Sequence, residues 1–260
     1  MKRYIQAYIF LIKAFFKVKR QQPLDFFIGM LGALLIYIPN LIFLYLLNRQ
    51  NWALAGLSRE QLILLQGIFI IVLSPMNIIC DNLWGLKEYL IDGSFIKYYF
   101  KPGNSLFFYL SESINLRSIP EALVGVSLIV LNINFVTYTW VSLITFVISL
   151  FFACLVPFSL RLISAATGFW FTNSFGMMNM VSNLLNYGKY PTSMYGNVIS
   201  RLLLSVFPIG LIAYFPYLIL TRNDGLFLSL CLQILISLGI FSLAIFIWEK
   251  GIVSYGATGS

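Results

Sequence analysis

Long apolar segments follow one another along this chain, and they limit what it can fold into. Six of them are long enough to cross a bilayer, because a transmembrane helix needs about 20 apolar residues. Only 10% of the 260 residues are charged, against about 25% in soluble domains. The sequence therefore predicts an all-α polytopic membrane protein with one domain over residues 1–260. The six predicted spans cover about 25–47, 61–80, 113–132, 139–160, 162–185 and 226–248.

Residues 1–22 precede the first apolar segment and have a different pattern. Lys13, Lys17 and Arg20 fall on one polar stripe of a helix, because an α-helix turns once every 3.6 residues. Ile and Phe residues cover the opposite side of the same helix. A basic helix with an apolar face of this kind lies in the headgroup plane of a membrane. We therefore predict an N-terminal amphipathic interfacial helix.

The distribution of positive charge predicts the orientation of the spans. With the N-terminus inside the cell and six spans, the inner side holds more Lys and Arg residues than the outer side. Cytoplasmic flanks of membrane helices collect these residues. Both termini are therefore predicted to be cytoplasmic. The same bias accounts for the net charge of +8, so we expect a lipid bilayer and no nucleic acid as a partner.

Residues 186–225 are open to two interpretations, because Pro and Gly interrupt an apolar run there. The stretch 198–220 contains Arg201, Pro208 and Pro216, and such breaks at membrane depth are tolerated where protein covers the backbone. We favour a re-entrant or extracellular helical hairpin before the last span, and a seventh span across 198–220 is the alternative. The residues that characterise this outer hairpin are Tyr190, Pro191, Pro208, Tyr214 and Pro216.

Residues 81–111 form the longest polar stretch between spans, and the charge bias places them in the cytoplasm. Basic, aromatic and turn-forming residues are mixed along this loop. The chain has no Gly-x-x-x-x-Gly-Lys-Ser/Thr motif, so it is not expected to bind and hydrolyse ATP itself. It also has no histidine, which is the commonest general base and metal ligand. We expect no cofactor or metal on this chain and no enzymatic activity of its own.

Two sets of residues within the spans could carry function. Arg117 and Glu121 are four residues apart near the start of the third span, where they form either an interfacial ion pair or part of a substrate passage. Aromatic, Met and amide residues alternate along the second and fifth spans, which is typical of core packing and also of an adaptable pathway lining. The candidate path residues are Phe69, Met76, Asn77, Phe169, Trp170, Asn173, Phe175, Met177 and Met178.

The order of these features resembles the membrane subunit of bacterial ATP-binding-cassette (ABC) exporters of the type-2 permease superfamily. In particular it resembles their small subfamily of about 260 residues with six spans. The resemblance rests on Asp92-Gly93-Ser94-Phe95 with Phe100-Lys101-Pro102, on Phe169-Trp170, and on three Pro motifs before the last span. Those motifs are Tyr190-Pro191, Phe207-Pro208 and Tyr214-Phe215-Pro216.

The resemblance implies a complex in the cytoplasmic membrane of a bacterial cell. Two permease subunits, identical or paralogous, would work with two cytoplasmic ATP-binding cassette subunits, which bind ATP and Mg. The loop at 81–111 would hold a coupling helix, with Phe95, Tyr98, Tyr99 and Phe100 in a groove of the ATP-binding subunit and Lys97 and Lys101 at its acidic rim. The implied contact residues are Asp92, Gly93, Phe95, Ile96, Lys97, Tyr98, Tyr99, Phe100, Lys101 and Pro102.

Two of the alternative functional classes predict particular residues in the sequence. An ion-coupled secondary transporter predicts paired acidic residues in the middle of spans, and a lipid-modifying enzyme predicts His or several acidic residues near one interface. A non-transporting membrane partner protein predicts no particular residues. The leading hypothesis is an export permease for an amphipathic or hydrophobic substrate, since Met and aromatic residues would line its path.

Overall fold

The computed structural model describes residues 23–39, 42, 46, 56–101, 103–171, 174–205, 207–221 and 225–258. Every regular element within these ranges is a helix, and this confirms the predicted all-α membrane fold. The predicted interfacial helix at 1–22 lies outside the described residues, and the first predicted span at 25–47 is described only in part.

Eleven α-helices are described, and they differ widely in length. They are α1 (Pro23–Leu35), α2 (Arg59–Ile79), α3 (Leu86–Ile91), α4 (Ile96–Tyr99), α5 (Ser105–Ser111), α6 (Ile119–Asn132), α7 (Trp140–Ala166), α8 (Ser174–Asn186), α9 (Gly196–Ser205), α10 (Tyr214–Thr221) and α11 (Leu226–Thr258). Within the described ranges, the helices long and apolar enough to cross a membrane are α2, α7 and α11, and α6 is a shorter apolar helix. The number of six spans therefore stays a prediction.

Side-chain caps explain where two of the long helices begin. At the start of α2, the Gln61 amide N–H donates to Ser58 Oγ, and the Ser58 N–H donates to Gln61 Oε1. Thr139 and Ser142 make the same reciprocal pair at the start of α7. Each capping box satisfies two backbone donors that the first turn of a helix leaves free.

The long helices pack in two main pairs, α2 with α6 and α7 with α11. Glycines allow the first pair to approach closely, because a Cβ on Gly67 would lie 3.0 Å from the Gly125 carbonyl oxygen. In the second pair, Ser149 Oγ donates to Gln233 Oε1 at 2.6 Å, and Gln233 Nε2 donates to the Ser149 carbonyl. Small residues and hydrogen-bonded polar side chains are the usual means by which membrane helices associate.

The boundary predicted between the fourth and fifth spans is wrong. Arg161 does not end a span, because α7 continues through it to Ala166. The side chain is buried, and its guanidinium donates to Asn77 and lies over the Trp84 ring. These contacts let the charge stay inside the bundle. The chain turns after Ala166 instead, and α8 begins at Ser174.

Residues 186–221 form short helices and 3-10 turns. The ten-residue α9 and the eight-residue α10 are both too short to span a membrane. A turn at Ile209–Leu211 separates them, and all three of its residues are buried. The structure thus has two short helices where the sequence left a hairpin or a seventh span open. Their placement on the outer side of the membrane stays a prediction.

Candidate functional site

The loop at 81–111 is folded into short helices around one tight turn. The backbone N–H of Ser94 donates to Asp92 Oδ1 at 2.8 Å, and the Phe95 N–H donates to the Tyr89 carbonyl. Gly93 has φ +75°, a left-handed conformation that glycine adopts without the usual steric cost. Hydrogen bonding by Ser94 holds the pKa of the Asp92 carboxyl below its ordinary value of 3.8. This turn reverses the chain between α3 and α4.

Seven rings from separated parts of the chain meet beside this turn. The Phe95 centroid lies 5.5 Å from that of Phe169 and 5.7 Å from that of Tyr255. Most of these pairs are edge-to-face, and such pairs add about 0.5–1.5 kcal/mol beyond the burial of their area. We call this group the aromatic cluster; it consists of Tyr89, Phe95, Tyr98, Tyr109, Phe169, Trp248 and Tyr255.

The aromatic cluster ties the loop to the end of the last helix. Trp248 and Tyr255 both lie on α11, and a Cβ on Gly251 between them would overlap the Phe169 ring. The Tyr109 hydroxyl donates to the Asn82 carbonyl at 2.6 Å, and burial raises the pKa of this phenol above its usual range. The loop is therefore held against helices that follow it by more than a hundred residues.

Two of the predicted contact residues point into the protein. Phe95 is fully buried and Tyr98 is 1% exposed. Their interpretation as side chains that insert into a groove of another subunit is wrong, because both are used by the aromatic cluster. The reason is the turn at Asp92, which rotates the start of α4 toward α11. A sequence pattern of alternating aromatic residues does not show which of them face inward.

An apolar ridge lies on the solvent-exposed side of the same loop. Ile91 is 71% exposed, Phe100 is 75% exposed, and Ile96 and Tyr99 are about half exposed. Residues 96, 99 and 100 lie three and four positions apart, so they share one face of α4 and its end. The Tyr99 and Phe100 rings contact each other at 5.6 Å between centroids. We call Ile91, Ile96, Tyr99 and Phe100 the exposed ridge.

The two lysines of the loop make contacts within the chain. Lys97 Nζ lies 2.8 Å from Glu112 Oε1, and the Tyr98 hydroxyl donates to the same carboxylate. Lys101 Nζ lies over the rings of Tyr98 and Phe108 at 5.2 and 5.3 Å. Lys97 is still 43% exposed, so its charge remains near the ridge but is partly balanced. Pro102 lies outside the described residues.

A network of polar side chains connects the helices next to the loop. Asn77 connects two opposite charges, since its Oδ1 accepts from Arg161 and its Nδ2 donates to Glu121 Oε2 at 3.0 Å. The Tyr37 hydroxyl donates to the same Glu121 oxygen. The network thus joins α2, α6 and α7 with the chain after α1. At Arg117, the predicted partner of Glu121, the side chain lies outside the described part of the structure.

The candidate path residues differ in burial and do not form one surface. Phe69, Met76 and Met178 are each 2% exposed and belong to the core of the chain. Phe175 is 53% exposed and Met177 is 40% exposed, on the free face of α8, and Trp170 is also exposed. Asn77 belongs to the polar network, Phe169 belongs to the aromatic cluster, and Asn173 lies outside the described residues. Among the candidates that the structure describes, Trp170, Phe175 and Met177 are the ones exposed on the surface of the chain.

The residues of the predicted outer hairpin are mostly buried. Pro191, Pro208 and Pro216 are all buried, whereas Tyr190 and Tyr214 are partly exposed. Gln233 of α11 donates to the Leu211 carbonyl and so connects the turn between α9 and α10 to the last helix. The structure brings these residues together away from the loop and the aromatic cluster.

Sequence reasoning missed three contributors to these sites. Trp248 and Tyr255 complete the aromatic cluster, and their spacing of seven residues on an apolar helix is a signal that they share one face. Ile91 belongs to the exposed ridge, but it was not among the predicted contact residues. It is the last residue of α3 and is 71% exposed, and no local pattern in the sequence marked it as a surface residue.

Comparison with known proteins gives one family. The model of the family described as ABC-2 family transporter protein matches residues 34–259, which is most of the chain. Comparison with curated proteins gives no match, and comparison with solved structures gives none either. The family match confirms the resemblance to type-2 ABC permeases, and three span-length apolar helices agree with it. The chain therefore belongs to the ABC-2 family of transporter proteins and is a membrane permease.

Proposed function

We propose that this permease forms the translocation path of an ATP-driven exporter and binds separate ATP-binding subunits through the exposed ridge. Family membership implies ATP-binding subunits as partners. The observation that supports the ridge as their contact is its exposure: four large apolar side chains stand out on a loop whose inner side is fully packed. Contiguous exposed apolar groups on a folded protein mark interaction sites.

The packing of the loop suits the transmission of motion. A contact on α4 can move distant helices only if the loop is rigidly attached to them. Phe95 provides such an attachment, because the centroid of its ring lies 5.5 Å from that of Phe169 and 6.0 Å from that of Trp248. Phe169 precedes α8, and Trp248 lies in α11. Movement of the ridge would therefore shift both α8 and the last helix.

The free face of α8 suits a translocation path. Phe175 and Met177 are exposed there together with Asn179 and Asn183. Met and aromatic side chains give an adaptable apolar wall, and the amides supply hydrogen bonds without charge. We propose that this face meets a second copy or a paralogous permease, and that an amphipathic or hydrophobic substrate passes between them.

The full complex would contain two permeases and two ATP-binding subunits, with ATP and Mg held by the latter. Lys87, Lys97, Lys101 and Lys250 lie on the loop or on the part of α11 that follows Trp248. Lysines concentrated on the loop and on the C-terminal part of α11 support a cytoplasmic position for both. We accordingly place the loop and both termini in the cytoplasm and the permease in the bacterial cell membrane.

The docking claim is tested with the complete chain. The permease is co-purified with the ATP-binding subunits encoded next to it, and the ATP turnover of the complex is measured. Replacing both Tyr99 and Phe100 by Ala removes half of the exposed ridge and leaves the aromatic cluster intact. We expect loss of co-purification and of permease-dependent ATP turnover.

A matched control uses an exposed aromatic residue at the far end of α11. Phe227 is 78% exposed and Phe100 is 75% exposed, so Phe227→Ala removes a similar apolar surface from another region. This variant should assemble and turn over ATP as the unchanged protein does. Normal assembly and turnover in the Tyr99→Ala Phe100→Ala protein would show that the ridge is not the contact.

A further inference from the structure

Three asparagines lie in a row on the free face of α8. Asn179, Asn183 and Asn186 are all exposed, whereas Met178 and Val181 on the other face are buried. Spacings of four and three residues place the three amides on one side of the helix. An amide exposed to hydrocarbon without a hydrogen-bond partner is costly. This face of a membrane helix is therefore expected to border a polar space.

A groove of about 630 Å³ opens at the end of this row. Its size is in the range of sites that hold a small organic molecule, about 300–1,000 Å³. The Tyr187 and Tyr195 rings stand edge to face at 5.4 Å, and the Tyr195 hydroxyl donates to the Tyr187 carbonyl, so this wall is preformed. The groove is lined by Asn183, Asn186, Tyr187, Lys189, Tyr190, Met194 and Tyr195.

The groove lies at the middle depth of the bundle. A Cβ on Gly188 would lie 3.3 Å from the Phe69 ring, and Lys189 Nζ lies 5.9 Å from the centroid of the same ring. Phe69 is at the centre of the 21-residue α2, roughly 15 Å from each end at 1.5 Å per residue. A substrate in this groove would therefore lie beside the middle turns of α2, one of the helices long enough to span a membrane.

Lys189 places a positive charge in this groove. The described residues provide an aromatic ring as its neighbour, and they place no carboxylate within salt-bridge distance of its amine. Ionisable residues at membrane depth are rare and mark substrate or ion pathways. A half-buried amine beside two amides and three phenols matches a ligand that carries an acidic group with several acceptor oxygens.

We propose that the groove binds the acidic group of an amphiphile, a carboxylate or a phosphate, through Lys189. Asn183 and Asn186 donate hydrogen bonds to the same group, and the apolar part of the ligand lies over Met194 and the exposed Met and Phe residues of α8. The proposal rests on the proposed function, and it narrows the class of substrate from amphipathic molecules in general to anionic amphiphiles.

Binding of a defined probe tests this assignment. The full chain is placed in phosphatidylcholine nanodiscs, and dansyl-labelled undecanoic acid is titrated against it by fluorescence, with the uncharged methyl ester of the same probe in parallel. Lys189→Gln should weaken binding of the acid by about tenfold or more, as loss of a charge-assisted hydrogen bond in a poorly hydrated site requires. Binding of the ester should not change.

Two further variants separate a binding role from a structural one. Lys189→Arg keeps the charge and should keep the preference for the acid. Lys250→Gln removes a lysine that also lies over a ring, at 5.6 Å from the Phe246 centroid, and should have no effect. Equal binding of the acid by the unchanged protein and by Lys189→Gln would overturn the proposal, and so would equal affinity of the unchanged protein for acid and ester.

The source of the acidic group is resolved by changing the lipid. If phosphatidylglycerol added to the nanodiscs displaces the acid probe in a Lys189-dependent way, the ligand is a lipid of the bilayer. If it does not, the ligand is a cargo that enters from water. This assay contains no ATP-binding subunit. A lack of probe binding would therefore argue against the groove without bearing on the exposed ridge, and a lack of co-purification would argue against the ridge without bearing on probe binding.

Discussion

The loop at 81–111 and the hairpin region at 187–221 are both built from short helices, yet they are stabilised differently. Ring contacts from distant helices hold the loop, with Phe95 at their centre. The hairpin region is held by buried prolines and by close backbone packing at Gly188. The loop exposes an apolar ridge, whereas the hairpin region and α8 together form a groove that contains the amine of Lys189. The loop thus has a surface suited to a protein partner, and the hairpin region borders a groove suited to a small molecule.

The largest effect is expected from Phe95→Ala. The ring is fully buried in the aromatic cluster, and removing a buried Phe side chain costs about 3–5 kcal/mol in the free energy of unfolding. Docking should be lost as well, because the ridge would no longer be held in place. Tyr99→Ala is the control, since it should change the unfolding free energy by no more than about 0.5 kcal/mol. Equal stabilities in denaturant unfolding would refute the central role of the cluster.

A smaller effect is expected from Gly188→Val in the hairpin region. A Cβ at this position already lies 3.1 Å from Ile209 Cγ2, so a larger side chain must push Ile209 and Phe69 apart. Overpacking of this kind costs about 1–3 kcal/mol. Gly239→Val meets open space and should be tolerated. If both variants melt at the same temperature, close backbone packing is not what stabilises this region.

Gln233→Leu tests how the hairpin region is attached to the long helices. Gln233 bonds to Ser149 and to the Leu211 carbonyl, and a hydrogen bond between membrane helices contributes about 0.6–2 kcal/mol. We expect a loss of this size in the unfolding free energy. Gln66→Leu provides the contrast, because Gln66 Nε2 is buried without a hydrogen-bond partner among the described residues, so its removal should be neutral or stabilising. A Gln233→Leu protein as stable as Gln66→Leu would contradict the attachment.

The smallest effect concerns the turn of the loop. The pKa of Asp92 is lowered in the folded state, so its contribution to stability is present above the unfolded pKa of about 3.9 and is lost as pH falls through the folded pKa. Asp92→Asn should remove that part of the pH dependence, so the variant should be slightly less stable at neutral pH and the two proteins should converge at strongly acid pH. Melting curves between neutral and strongly acid pH measure the difference, and identical slopes for both proteins would rule the effect out.

Hydropathy predicted the long helices well, because bilayer thickness constrains them directly. The second span was predicted at 61–80 and found as α2, Arg59–Ile79, and the last span was found to begin at the predicted position. The break after the fourth span was misplaced, since Arg161 is buried and has partners on other parts of the chain that a linear sequence does not show. Phe95 and Phe100 look alike in sequence, but they flank opposite ends of α4, and only the folded structure shows that one is buried and the other exposed.

Photo-crosslinking distinguishes the two sides of the loop, one packed against the chain itself and the other proposed to bind the ATP-binding subunit. A photoreactive phenylalanine is placed at Phe100, Phe95 or Phe227 in turn, and the permease is irradiated together with its ATP-binding subunits. We predict a crosslink to the ATP-binding subunit from position 100 and none from positions 95 and 227. A crosslink from position 95 with none from position 100 would contradict the account.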